Sequence, residues 1–219
     1  MRSSRLAALT AACLVLALLF VQRKNERPFV ARPVHRIAVL GDSVAHGAGD
    51  ESNRGGIAGR LGATNFGVNG ARTGVVLDIL RRADVRNVLR NADLVIVSIG
   101  GNDLYGDAIA RLATLIAPPL AMEGALDRVA AIVDRIHAAS PAARIVLLGL
   151  YDPYRRPFLD EQVARWDSRL IARFAGDRAV DVVRIADLFA YTARLSPLDH
   201  FHPGAEGYAL IAARVASTW

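Results

Sequence analysis

The chain holds a single cysteine, Cys13, and that scarcity narrows its chemistry first. One cysteine near the start excludes an internal disulfide, and it leaves the rest of the chain without a thiolate nucleophile or a cysteine-based zinc site. It does not exclude export, because 219 residues can bury one sizeable core without covalent staples. Basic excess is also missing from most of the length. The formal charge is +6, but Arg2, Arg5, Arg23, Lys24, Arg27 and Arg32 against Glu26 place +5 in residues 1–33 and leave +1 for the remainder. A nucleic-acid footprint needs a basic face on the folded part, so no nucleic-acid partner is expected. Internal repeats and low-complexity tracts are absent as well.

What is present begins with a leader. Arg2 and Arg5 precede an apolar run from Leu6 to Val21, interrupted only by Thr10 and ended by Gln22-Arg23-Lys24-Asn25-Glu26-Arg27-Pro28. At a rise of 1.5 Å per residue, this run spans about 24 Å, somewhat less than an average membrane-crossing helix. The pattern is that of a signal sequence or short signal-anchor. No A-x-A-like cleavage site follows Val21, so an uncleaved anchor over residues 6–21 is expected, with the remainder exported. Cleavage, and lipidation at Cys13 within Thr10-Ala11-Ala12-Cys13, are the alternatives. Flanking charges are nearly balanced and do not set the orientation. The expected division is residues 1–33 as anchor and linker, and residues 34–219 as one folded domain.

Within that domain, short apolar runs alternate with longer amphipathic ones. Strands are expected at Ile37–Leu40, Thr64–Phe66 with Val68, Leu94–Ile99, Ile145–Leu150 and Val180–Ile185. The first, third and fourth are apolar on both faces, as in a buried parallel sheet, and polar interruptions in the fifth suit an edge. Helical spacing marks Thr73–Arg82, Leu126–Ala139, Gln162–Phe174 and Ala205–Val215. This alternation predicts an α/β fold, a three-layer α/β/α sandwich on a five-stranded parallel sheet. Such sheets gather their sites at the carboxyl ends of the strands.

Four segments lie where that rule would bring them together: Gly41-Asp42-Ser43, Asn69-Gly70, Gly100-Gly101-Asn102-Asp103, and Asp199-His200-Phe201-His202-Pro203. A serine hydroxyl becomes a nucleophile when a base takes its proton. His202 is the candidate base, aimed by a turn that Pro203 stiffens, and His200 is its rival. Asp199 is close enough in sequence to accept from the imidazole and fix its tautomer. An oxyanion needs preplaced donors. Ser43 N–H at a helix start, Gly70 N–H without a side chain in the way, and the Asn102 amide can supply them. Asp42 and Asp103 read as loop-bonding residues. His35, His46 and His137 read as surface or boundary residues. Tyr151–Phe158 reads as a loop bordering the acyl or leaving-group pocket, or as a rigid surface loop.

These blocks, Gly-Asp-Ser-Val, Val-Asn-Gly-Ala, Gly-Gly-Asn-Asp and Asp-His-Phe-His-Pro, resemble those of the SGNH/GDSL hydrolase family. The order spans residues 41–203. The resemblance implies a flavodoxin-like sandwich and an esterase or lipase that forms an acyl-enzyme on Ser43. It favours His202 over His200 as base, with Asp199 orienting it, and it implies Ser43, Gly70 and Asn102 as the oxyanion hole. Implied substrates are esters or thioesters of lipids, acylated sugars and small acyl groups. Val44 stands where Leu is common. No metal or organic cofactor is implied, and an acyltransferase is a close variant. Two other classes compete. One is a membrane-tethered binding module with an idle site. The other is a metal-dependent phosphoesterase using Asp42, Asp199, His200 and His202.

Overall fold

Five runs form strands in the computed structural model, which describes residues 34–219: β1 (Ile37–Gly41), β2 (Thr64–Gly67), β3 (Leu94–Ser98), β4 (Arg144–Leu148) and β5 (Val180–Val183). The expected anchor and linker, residues 1–33, lie outside the described residues. The strands are parallel, in the order β2-β1-β3-β4-β5. The expected α/β/α sandwich on a five-stranded parallel sheet is the fold observed, and β5, with Asp181 in it, is an edge strand.

Both faces of the sheet are covered. Ala38, Leu40, Val95, Val97, Ile145 and Leu147 point into one core, and Ile37, Val39, Leu94, Ile96, Val146 and Leu148 point into the other. The central strands are therefore apolar at successive positions, Ile37–Leu40, Leu94–Val97 and Ile145–Leu148, because successive side chains enter opposite cores. The first core is completed by α3 (Thr73–Ile79), α4 (Ala83–Leu89), α7 (Pro118–Ala139) and α8 (Pro157–Phe174). The second is completed by α1 (Ser43–His46), α2 (Gly56–Leu61) and α9 (Ala205–Ala216). Two further helices, α5 (Gly101–Tyr105) and α6 (Ala108–Ile116), lie between β3 and α7. Trp166 and Phe174 are core residues, as their spacing implies.

The helices differ from expectation mainly at their starts. α7 begins at Pro118 rather than Leu126, and α8 at Pro157 rather than Gln162. In both cases proline occupies the first turn, where its missing N–H would have had no intrahelical partner. α2, α4, α5 and α6 lie outside the expected helices; the first three have about two turns or fewer, too few for helical periodicity to declare itself.

A buried ionic cluster joins the segment after α1 to the helix after His202. Arg60 of α2 donates through Nη1 to Asp50 Oδ2 at 2.5 Å, and through Nη2 to the Ala205 carbonyl at 2.9 Å. Asp50 also accepts from Ser52 Oγ at 2.5 Å and Gly56 N at 2.8 Å. The Arg60 guanidinium lies 5.7 Å from the Tyr208 ring centroid, and Tyr208 OH donates to the Ala48 carbonyl at 2.7 Å. Glu51 accepts from Ala205 N at 2.9 Å. Burial pushes the Asp50 carboxyl upward, but Arg60, Ser52 and the Gly56 amide outweigh it and hold the group well below the carboxylate range.

Replacing Arg60 by Leu leaves Asp50 buried without its cation. It should cost about 3–5 kcal/mol in urea unfolding at neutral pH. A folded-state value below the unfolded one means the pair stabilises above the ordinary carboxylate range, and that contribution is lost on acidification. The gap between wild type and Arg60→Leu should therefore shrink below about pH 4. A neutral-pH unfolding midpoint equal to wild type would contradict this role.

Candidate active site

Ser43 is the first residue of α1, directly after β1. Asp42 caps that helix: Oδ1 accepts from Val44 N at 3.0 Å and from Ser98 Oγ of β3 at 3.2 Å, while Asp42 N donates to the Ser98 carbonyl at 2.9 Å. Asp42 thus fixes the turn that presents Ser43, the structural role its sequence position indicated. Its carboxyl is buried, and this raises its pKa to about 7 against the opposing bonds from the Val44 amide and Ser98. Among the described residues, neither Ser43 Oγ nor Ser43 N–H has a hydrogen-bond partner.

Gly70 occupies a turn closed by Ala71 N on the Val68 carbonyl at 3.0 Å. Its φ of +71° is one that L side chains rarely adopt, and the space where a Cβ would stand is open for 4 Å. Asn102, in the first turn of α5, donates from Nδ2 to the Ala71 carbonyl at 3.0 Å. This bond ties the Asn102 amide to the Gly70 turn and leaves its second N–H available. Asp103 is buried beneath this pair. It accepts from Thr73 N at 3.0 Å and Thr73 Oγ1 at 2.6 Å, and Arg128 reaches it at 3.1 Å. It is a scaffold residue, again as read from the sequence.

Asp199 pairs with His202. Its Oδ2 lies 2.7 Å from His202 Nδ1, and its Oδ1 accepts from the Phe201 and His202 amides at 2.9 and 3.0 Å. Burial pushes the Asp199 carboxyl upward, but the imidazole and the two amides outweigh that and hold it below its ordinary value. With Nδ1 engaged, Nε2 of His202 is the nitrogen left for chemistry. His200, the rival base, sits at φ +52° with its amide on the Ser196 carbonyl, and the Asp199 carboxylate serves His202 instead. Among the described residues, no three His, Cys, Asp or Glu side chains group closely enough to hold a metal ion.

The segment leaving α1 runs against the His202 loop. A methyl on Gly49 would meet His202 Cβ at 2.7 Å and the Pro203 carbonyl at 3.0 Å. Tyr151, after β4, donates to the Phe201 carbonyl at 2.9 Å and packs on Phe189 with ring centroids 4.3 Å apart. Its phenol is raised by burial, then by Tyr208 and by the carboxylates of Asp42 and Asp199. The Gly49 and Tyr151 contacts bring the His202 loop to the end of the sheet where Ser43 follows β1, without a hydrogen bond between Ser43 and His202 here. Tyr154 lies 5.8 Å from the Phe201 ring and Phe201 meets the His202 ring edge-on at 4.8 Å, so the Tyr151–Phe158 loop borders His202, although Pro157 and Phe158 belong to α8. Sequence reasoning missed Asp50, Glu51, Arg60 and Tyr208, whose partners are distant in the chain. His46 and His137 bond the Gly67 carbonyl and Asp177, away from this chemistry.

Similarity to known proteins extends over most of the described residues. The GDSL-like Lipase/Acylhydrolase family matches residues 39–210, which include every motif block. The uncharacterized protein YpmR of Bacillus subtilis (strain 168) is 28% identical over 202 residues, covering 82% of this chain and 79% of its own. The fold is similar to that of the lipase Lip_vut3 from a goat rumen metagenome (TM-score 0.70, 18% identity, 83% of this chain and 96% of that one). It is also similar to the extracellular lipase of Streptomyces rimosus (TM-score 0.60, 20% identity, 84% and 99%). A third similar fold is Axe2, an acetylxylan esterase of Geobacillus stearothermophilus (TM-score 0.59, 15% identity, 83% and 92%).

The buried Asp42 carboxyl makes a pH-dependent prediction. Its folded pKa lies above its unfolded one, so the folded state binds the extra proton between about pH 4 and 7, and stability falls as pH rises through that window. Asp42→Asn keeps an acceptor for Val44 and Ser98 but does not titrate. Its stability relative to wild type should therefore rise by as much as roughly 3–4 kcal/mol from pH 4 to 8. Parallel stability–pH curves for the two proteins would refute the assignment.

Proposed function

Since this chain belongs to the GDSL-like lipase/acylhydrolase family and is a carboxylic ester hydrolase of SGNH type, we propose that it works through an acyl-enzyme on Ser43 with His202 as general base and Asp199 as its orienting acid. The observation that carries this reading is the Asp199–His202 pair, with Nδ1 held at 2.7 Å and the loop amides on the other carboxylate oxygen.

In the first step, Ser43 Oγ bonds to the ester carbonyl carbon while its proton passes to His202 Nε2. The carbonyl π electrons move onto oxygen, and Ser43 N–H, Gly70 N–H and the free Asn102 N–H stabilise that charge. The tetrahedral adduct collapses, the C–O bond to the alcohol breaks, and His202 returns the proton to the leaving oxygen. Water then attacks the acyl carbon as His202 takes its proton, and Ser43 leaves protonated with release of the acid. Asp199 keeps Nδ1–H in place throughout and stabilises the imidazolium. Ser43 and His202 must close to hydrogen-bond distance when substrate binds, a tightening that free enzymes commonly require. Thioesters fit the same steps, with a thiol as leaving group. The leader adds a location: Leu6–Val21 anchors the domain outside the cytoplasm, and it is this segment that makes a membrane contact part of the reading.

Ser43→Ala should lower turnover of a short p-nitrophenyl ester by about 10⁴–10⁶ and abolish labelling by a fluorophosphonate probe, with the fold intact by circular dichroism. Asn102→Ala should cost about 10²–10³, mainly in kcat. Probe labelling that survives in Ser43→Ala would remove the nucleophile assignment.

A further inference from the structure

Helix α6 is built inside out. Its small side chains Ala110 and Thr114 are the buried ones, and Thr114 Oγ1 donates to the Leu104 carbonyl at 2.8 Å. Its large apolar side chains face solvent: Ile109 is 80% exposed, Leu112 55%, Leu115 63% and Ile116 73%. Leu120, at the start of α7, is 76% exposed. Ile109, Leu112 and Ile116 recur at helical spacing and, with Leu120, border an open apolar groove of 480 Å³. Isolated exposed leucines are ordinary on a soluble surface, but a contiguous corner of them marks a contact.

This corner adjoins the catalytic rim. Asp107 caps α6, accepting from Ala110 N at 2.8 Å, and its carboxylate pairs with Arg72, which closely follows Gly70 in the chain. α5, just before it, carries Asn102. We propose that the exposed face of α6 and the start of α7 is a docking surface for a lipid bilayer, delivering substrate to the Gly70–Asn102 side of the site. The inference rests on the leader and the ester hydrolysis described under the proposed function.

The chain's own anchor argues for lipid as the occupant. Residues 22–33 are all that separate the apolar run Leu6–Val21 from Val34. Fully extended, that link reaches about 40 Å, comparable to the diameter of about 40 Å of a domain this size. A domain on so short a tether stays at the bilayer, with its apolar corner within reach of it. No single helix among the described residues is long and apolar enough to cross a membrane, and α6 and α7 meet at a bend of 118°. α6 with the first turn of α7 is suited to lie in the interface, where an amphipathic helix sinks its apolar face about 5–10 Å. Arg111, exposed on α6 with its Nε on the Tyr105 carbonyl at 3.1 Å, supplies a cation at headgroup level.

The single native cysteine makes the test direct. The full chain carrying Cys13→Ser receives one new cysteine, Leu112→Cys or Ile116→Cys, labelled with a fluorophore and reconstituted in phosphatidylethanolamine–phosphatidylglycerol vesicles containing doxyl lipid. Both labels should be quenched by the lipid, whereas one at Ala213→Cys on α9, across the sheet, should not. Labels as water-accessible as that at Ala213 overturn the proposal. So do labels shielded from water yet untouched by doxyl lipid, the result expected if the leader or a second copy covers the face. The variant Ile109→Ser/Leu112→Ser/Ile116→Ser should turn over a short soluble ester within about twofold of wild type but lose at least about tenfold on a long-chain ester held in the vesicle. Equal losses on both substrates also overturn it. If wild type cleaves neither ester, the catalytic reading fails, and lipid quenching still decides the docking.

Discussion

The constraint on which the site depends is the buried contact between Asp50 and Arg60. Ser43 and His202 stand at opposite ends of the sequence, on segments too short to position themselves. Arg60 reaches from the Asp50 carboxylate to the carboxyl-terminal helix through the Ala205 carbonyl, while Tyr208 reaches back to Ala48. A charge pair taken out of water is stabilising only when its remaining donors and acceptors are matched. Here Ser52, Gly56 and two carbonyls supply most of that matching. The same bonds that satisfy the ions therefore hold the segment that leaves Ser43 against the helix that follows His202.

Around this clamp, carboxylates of similar intrinsic acidity take different roles through their surroundings. Asp42 is buried against neutral donors and is pushed toward neutrality, whereas Asp199 collects an imidazole and two amides and stays ionised. A neutral Asp42 can cap α1 without placing a negative charge beside an oxyanion. An ionised Asp199 is what a transient imidazolium requires. Asn102 and Gly70 are likewise fixed by their neighbours, through the Ala71 carbonyl on one side and the Asp103–Thr73 contact on the other.

α6 departs from the logic of the other helices. Elsewhere large apolar residues fill the two cores; in α6, which packs on α5 and α7, alanine and threonine are the buried residues, and isoleucine and leucine are left outside. The exposed corner follows the helix that carries Asn102 and is tied through Asp107 to Arg72, close to Gly70 in the chain.

Much of this was legible in the chain. Unbroken apolar runs such as Leu94–Val97 report a strand buried on both faces, because burial acts on every residue of such a strand. Gly-Asp-Ser, Asn-Gly, Gly-Gly-Asn-Asp and Asp-x-x-His mark the candidate site residues, since each proposed role demands a particular functional group. Short helices such as Ala83–Leu89 were not legible, because so few turns carry little periodicity. Nor was the choice between His200 and His202 settled by local residues, which could not say which ring meets Asp199. The Asp50–Arg60–Ala205 clamp and the outward-facing α6 were decided only by tertiary structure. Partner choice between groups more than a hundred residues apart, and the direction a helix turns its apolar side, depend on packing that no local stretch of sequence encodes.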